Sequence, residues 1–166
     1  MYKLPDDFGF MLLSECYLEM ICYGAHLTRL DFSRPQIAPG VPPYKVSICV
    51  KAGLTYQVGD ISGKREFTDS STSAPLLDLL LKEVVLVEEV EGASLQISFD
   101  SCDKIVIQAD CGGDYESYSI YLDSGDVIVG AKAAAGQATI GVPISCLAHT
   151  GSHPSSRGPL SAVVAP

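Results

Sequence analysis

The chain is short of positive charge, of long apolar runs and of catalytic signatures, and each shortage closes off a class of function. Eleven basic residues against twenty acidic ones leave a net charge of −9 over 166 residues. A surface of that sign repels phosphate backbones and anionic lipid while it draws basic proteins from a distance. Nucleic acid and membranes are therefore not expected as partners. The longest strongly apolar run, from Pro75 to Val87, is interrupted by Asp78, Lys82 and Glu83. It falls short of the ~20 residues a bilayer span requires. The N-terminal stretch MYKLPDDFGFMLL carries one lysine and then two aspartates, without a small-residue cleavage site. It does not read as a secretory signal, and the cytoplasm is the expected compartment.

Catalytic motifs are equally scarce. No GxSxG elbow occurs, and Gly112-Gly113 runs into acids instead of the Lys-Ser/Thr pair of a phosphate loop. Three histidines, His26, His149 and His153, are the only imidazole bases for a nucleophilic triad, and two of them fall in the C-terminal stretch. Glu88 with Glu89, or Asp110 with Asp114, are adjacent or near-adjacent carboxylates that acid/base chemistry would need at a cleft. Solvated turns and strand faces are the plainer account of such acids. Cys146, His149 and His153 have ligand types and offsets that zinc accepts, but the second cysteine of a zinc motif is missing. Neither a metal nor a cofactor is assigned. The six cysteines stand singly, no two spaced Cys-x-x-Cys, and they read as reduced thiols packing like small hydrophobes.

What is present is period-two patterning. Mean hydropathy is positive and 47% of residues are hydrophobic, enough for one compact core. Leu30 and Phe32 alternate in phase with Val46, Ile48 and Val50; Leu95, Ile97 and Phe99 share a face, as do Ile105, Ile107 and Ala109. Residues 12–50 and 75–110 each read as strand, turn, strand, turn, strand. The predicted fold is mainly β (α+β): two antiparallel meanders forming a pseudo-repeat around one core, with halves at about 8–58 and 75–130. One short linking helix is expected near 74–83, where Ser73 offers a cap, Pro75 sits in the first turn and five leucines fall within six residues. Residues 59–74, GDISGKREFTDSSTSA, read as a polar connection or an irregular strand. From Ala131 the chain turns to small residues, prolines and glycines without an acid, and residues 131–166 read as a poorly ordered low-complexity tail. A single β-rich domain over 1–130 is the expected organisation.

Charge is uneven along that plan. Residues 60–130 hold fifteen acids and four bases, whereas 1–59 are balanced at five each. The stretch GGDYESYSIYL at 112–122 lies within the acidic part, between a Gly-Gly turn and the turn Asp123-Ser124-Gly125-Asp126. In extended geometry Tyr115, Ser117, Ser119 and Tyr121 share one face, and Glu116, Tyr118, Ile120 and Leu122 the other, core-side face. That places Glu116 at the mouth of the core, where a carboxylate needs a cation or several donors.

The combination of Leu79-Leu80-Leu81-Lys82, Leu95-Gln96-Ile97-Ser98-Phe99 and Tyr115-Glu116-Ser117-Tyr118-Ser119-Ile120 resembles an uncharacterised family of small bacterial proteins often met near polymorphic-toxin and immunity genes. The likeness spans roughly residues 12–129, and it implies a genomic context and no chemistry. The expected function is non-enzymatic protein binding, most concretely an immunity-type protein that neutralises a toxin through an acidic, tyrosine-bearing sheet face. Its candidate partner-binding residues are Asp110, Asp114, Tyr115, Glu116, Ser117, Tyr118 and Tyr121, and its partner a basic protein such as a cognate toxin. The alternative is a small-ligand or structural β module, or a hydrolase without a recognisable motif.

Overall fold

A computed structural model describes residues 8–36, 38–40, 43–90, 94–109 and 116–131, with Gly130 and Ala131 described through their backbone only. Ten strands form in chain order: β1 (Tyr17–Tyr23), β2 (Thr28–Ser33), β3 (Lys45–Val50), β4 (Leu54–Val58), β5 (Ile61–Arg65), β6 (Val84–Val90), β7 (Ser94–Phe99), β8 (Lys104–Ile107), β9 (Glu116–Leu122) and β10 (Val127–Ala131). They make two five-stranded antiparallel sheets, ordered β1-β2-β3-β9-β10 and β5-β4-β8-β7-β6. The fold is mainly β, as the alternation requires.

The inward phase of that alternation builds the core. Leu30, Phe32, Val46, Ile48, Val50, Tyr118 and Ile120 of the first sheet join Leu54, Tyr56, Leu95, Ile97, Phe99, Ile105 and Ile107 of the second in one apolar cluster. Burying a side chain of this size contributes roughly 1.5–3 kcal/mol each, which the many fully enclosed positions repeat across the interior. Asp103, in the β7–β8 turn, is the buried charge that ties the loops: its carboxylate accepts from Lys82 Nζ at 2.7 Å and the Gly59 backbone N–H at 2.7 Å, and from Ser101 Oγ. These donors hold its pKa down at about 2, the Lys82 hydrogen bond contributing most.

The meander expectation needs one correction. The three-strand runs β1-β2-β3 and β6-β7-β8 are meanders, but each is extended by a hairpin from the other part of the chain: β9-β10 joins the first and β4-β5 the second. Residues 8–58 and 75–130 therefore do not each form their own sheet. Of the two readings of 59–74, a polar connection or an irregular strand, the second holds over Ile61–Arg65: β5 pairs with β4 from Leu54↔Arg65 to Val58↔Ile61. Gly59, with φ of 55°, supplies the left-handed turn residue between them.

The linking helix is shifted and of a different kind. It is a 3-10 helix over Ser70–Leu79, capped by Asp69, whose carboxylate accepts from the Ser71 N–H at 3.0 Å and from Ser71 Oγ at 2.7 Å. Ser73, Leu76 and Leu79 are its buried residues. Their spacing of three matches the turn length of a 3-10 helix, which lines up i and i+3, so this pattern favours the tighter winding over an α-helix. Ser73 is thus a packed face residue and not the cap.

Two lead-ins share their geometry. A shorter 3-10 turn, Phe10–Leu13, precedes β1 as Ser70–Leu79 precedes β6. Ser14 (φ −57°, ψ 132°) and Leu80 (φ −60°, ψ 136°) follow in extended backbone. Next come Glu15 and Leu81, both non-glycine residues at positive φ, 61° and 65°. The pairing register of the following strand then shifts, between Leu18 and Met20 in β1 and between Val84 and Leu86 in β6. Tyr17 and Glu83 pair antiparallel, with Leu18 N–H donating to the Lys82 carbonyl at 3.1 Å and Val84 N–H to the Cys16 carbonyl at 2.7 Å. The two sheets are thereby joined at one corner through backbone.

Candidate functional site

The strand that carries the predicted binding residues, β9, lies between β3 and β10 in the first sheet. Its partners on β10 step from Tyr118 (opposite Gly130) to Glu116 (opposite Ala131), leaving Ser117 as the extra residue of a bulge. On the other side the N–H groups of Lys51 and Ala52 both donate to the Ser117 carbonyl, at 2.9 and 3.0 Å. The bulge overturns the strict alternation expected for this strand. Ser117 is buried with its hydroxyl donating to the Ala109 carbonyl, and Glu116 is turned out instead of facing the core. Glu116 does meet a cation: Lys51 Nζ lies 3.1 Å from Oε2, and Ser119 Oγ donates to the same oxygen at 3.3 Å. That hydrogen bond also raises the Lys51 pKa.

The two tyrosines of β9 have opposite fates. Tyr118 is 1% exposed and packs in the core, where burial pushes its phenol up to about 12 and keeps it neutral. Tyr121 is 44% exposed on the outer face. Of the predicted partner-binding residues, Glu116 and Tyr121 thus stand on the surface, and Ser117 and Tyr118 do not. A partner cannot touch a ring that the core already encloses. Asp110, Asp114 and Tyr115 lie outside the described residues, as do the tail and the Cys146, His149 and His153 set. Glu88 and Glu89 do not form a paired-carboxylate site: Glu88 accepts from Gln96 Nε2 at 2.7 Å, while Glu89, its neighbour along β6, is exposed.

Register places the outer face of the first sheet in rows. Cys22, Arg29, Cys49 and Ser119 run across β1, β2, β3 and β9 and end at Val129 on β10; Met20, Asp31, Ser47, Tyr121 and Val127 form the next row. Met20, Val127 and Val129 are each 41% exposed. The charges between them are matched. Arg29 Nη2 is 3.0 Å from Asp31 Oδ2, and Asp31 raises the arginine's pKa; Lys45 Nζ is 3.4 Å from Glu19 Oε2. Glu19 also accepts from Ser33 Oγ, the larger cause of its lowered pKa. The result is a surface of small, aromatic and apolar side chains whose arginine and lysine charges are matched by carboxylates.

A second region was invisible to sequence reading. Beside the start of the linking helix a cavity of about 360 Å³ is lined by Tyr23, Arg65, Glu66, Phe67, Ser73 and Leu77, among others. Arg65, the last residue of β5, is 5% exposed. Its guanidinium lies 5.1 Å from the Tyr23 ring centroid and 4.6 Å from that of Phe67. Nη2 donates to the Gly24 carbonyl at 3.3 Å, but Nε and Nη1 have no hydrogen-bond partner. Burial lowers the Arg65 pKa, and no carboxylate among the described residues acts against that. The adjacent Glu66 pairs with Lys64 at 3.3 Å instead. The Tyr23 hydroxyl donates to the Ser73 carbonyl at 3.1 Å and so ties β1 to the helix across the cavity. The sequence signal is no more than a basic residue within 59–74, a stretch that reads as a polar connection or an irregular strand.

Among the described residues no group of three or more histidine, cysteine, aspartate or glutamate side chains is arranged to hold a metal, and no helix is long and apolar enough to cross a membrane. No known protein family, curated protein or solved structure matches the chain.

Proposed function

We propose that the protein is a non-enzymatic binding module that docks a second, basic protein on the outer face of its first sheet, in the manner of an immunity protein covering a toxin. The observation that carries this reading is the patch of Tyr121, Val127, Val129 and Met20, partly exposed in adjacent rows and interleaved with Ser47 and Cys49. Small residues let a partner approach the sheet closely, and a tyrosine supplies contact area at little entropic cost. Internal pairing of Arg29 with Asp31 and of Lys51 with Glu116 removes isolated charges that docking would otherwise have to desolvate. The net charge of −9 then acts at long range, speeding encounter with a basic partner. A reducing compartment, the cytoplasm, belongs to the same reading and is supported by the free thiols of Cys16, Cys22, Cys49 and Cys102.

We also infer that the chain is an internal duplication in which each copy lends its hairpin to the other's meander. The matched lead-ins at 13–15 and 79–81, the register shift three to five residues later in each, and the Tyr17–Glu83 pair between equivalent positions support it. The test of the binding reading is co-purification from the native host with the full chain, followed by titration of the recovered protein. Tyr121→Ala and Val127→Asp should each weaken binding at least tenfold while leaving the fold intact. Unchanged affinity in both variants would remove this face from consideration.

A further inference from the structure

We propose that the cavity at Arg65 binds a small monocarboxylate with an apolar body, its carboxylate seated on the Arg65 guanidinium. This inference uses residues outside the sheet face and stands whether or not that face binds a protein. Three observations meet here. A buried guanidinium is expensive to desolvate unless an anion or several acceptors compensate it. Arg65 has one acceptor, the Gly24 carbonyl, and leaves Nε and Nη1 without partners in a site it lines together with a void of about 360 Å³. The void is of a size that small-molecule sites occupy, at the lower end of a range of roughly 300–1,000 Å³.

The chemistry of the lining selects the ligand class. Tyr23 and Phe67 both lie against the cation and also line the cavity, so Arg65 belongs to its wall. Leu77 and Ala74 add apolar wall, Ser70 and Ser73 are its small hydroxyl-bearing members, and its one acid, Glu66, has its charge matched by Lys64 at 3.3 Å. One unmatched positive charge fits one negative charge. A phosphate would bring a second charge for which the lining holds no cation, whereas a planar carboxylate accepts parallel N–H groups from a guanidinium. The rings packed on Arg65 restrict the side chain, which lowers the entropy lost when such a ligand docks.

The test is titration of the full-length protein with benzoate, phenylacetate and 3-phenylpropionate, each beside its neutral amide, with inorganic phosphate as a further arm. Amide and arginine Nε–H resonances report the outcome. At least one carboxylate should saturate with shifts centred on Tyr23, Arg65, Phe67 and Leu77 and a displaced Arg65 Nε–H signal, and its amide should bind at least tenfold more weakly. Arg65→Gln should lose binding at least tenfold. Ala74→Trp, which fills the cavity from an exposed lining position and leaves Arg65 in place, should abolish it even if the Gln variant fails to fold. Absence of saturable shifts with all three acids, equal binding of acid and amide, equal binding of phosphate, or a folded Ala74→Trp variant that binds normally would each overturn the proposal.

Discussion

The outer face of the first sheet and the Arg65 cavity treat charge in opposite ways. On the sheet face Arg29, Lys45 and Lys51 each have a carboxylate within 3.0–3.4 Å, in surroundings open enough that neither member is fully desolvated. In the cavity a cation that is almost fully buried lies against two aromatic rings, and the neighbouring acid, Glu66, pairs with Lys64 instead of with it. A matched pair at a surface is a settled state that needs no third party. A buried unmatched ion is an unfinished one, because the protein bears its desolvation whether or not an anion is bound. The difference separates a surface suited to docking another protein from a pocket suited to one small anion.

The largest effect should come from the two tyrosines of β9, which sharpen the contrast between face and interior. Tyr118→Ala removes a ring that is 1% exposed from the shared core, and it should destabilise the protein by about 3–5 kcal/mol in urea denaturation. Tyr121→Ala, on the outward side, should change stability by less than about 0.5 kcal/mol. Its cost should appear only in partner affinity. Equal destabilisation by both would mean that the strand's two sides are not as different as their burial.

Buried Asp103 provides the comparison for Arg65, since both are enclosed charges but Asp103 has its partners. Lys82, Ser101 and the Gly59 N–H hold its carboxyl at about 2, below the ordinary 3.8. A folded-state pKa lowered in this way contributes stability that is complete above about pH 4 and is lost as pH falls towards 2; the shift corresponds to about 2 kcal/mol. Asp103→Asn should therefore lower stability by about 2 kcal/mol at pH 7 and by much less at pH 2, measured as denaturation midpoints across that range. A constant deficit over the whole range would show that the side chain acts through packing and not through its charge.

How much of this was legible beforehand depends on the length scale of the signal. Leu95, Ile97 and Phe99, or Ile105 and Ile107, declare their faces because alternation is local and the sheet has one buried side. The exchange of hairpins between the two sheets has no local signature, because β4 alternates identically whichever β-strand it pairs with. The Ser117 bulge inverts Glu116 relative to its neighbours by inserting one residue, a change that period-two reading cannot anticipate. The spacing of Ser73, Leu76 and Leu79 by three was present in the sequence and pointed to a 3-10 helix, but a leucine-rich run reads first as an α-helical face. Arg65 was hidden for the most physical reason: its partners Tyr23 and Gly24 lie some forty residues away, and an unmatched charge becomes visible only once its surroundings are placed.

Replacing each arginine by methionine tests the charge contrast directly. Arg29→Met leaves Asp31, whose side chain is 15% exposed and whose Oδ1 already has no hydrogen-bond partner, without its cation. The melting temperature should fall. Arg65→Met takes away a desolvated cation and keeps an apolar stem against two rings, so without ligand the protein should be unchanged or stabilised by up to about 1 kcal/mol. Opposite signs in the two variants, read by thermal denaturation in the same buffer, are the expected result. A clear loss of stability in Arg65→Met would mean that the stacked cation is itself a structural tie, and the cavity would no longer need an anion to explain its arginine.

The smallest effect is expected at the Lys51–Glu116 pair, where both side chains are about half exposed, 48% and 46%. Pairs of this kind contribute roughly 0–1 kcal/mol because water and salt screen them and two flexible side chains must be held in place. Glu116→Gln should shift the denaturation midpoint by no more than about 0.5 kcal/mol, and by less in high salt. If Glu116 serves encounter with a basic partner, the same substitution should lower the association rate and leave dissociation nearly unchanged. A change confined to dissociation would instead place Glu116 inside the contact itself, where its bond to Lys51 must be broken or shared when the partner docks.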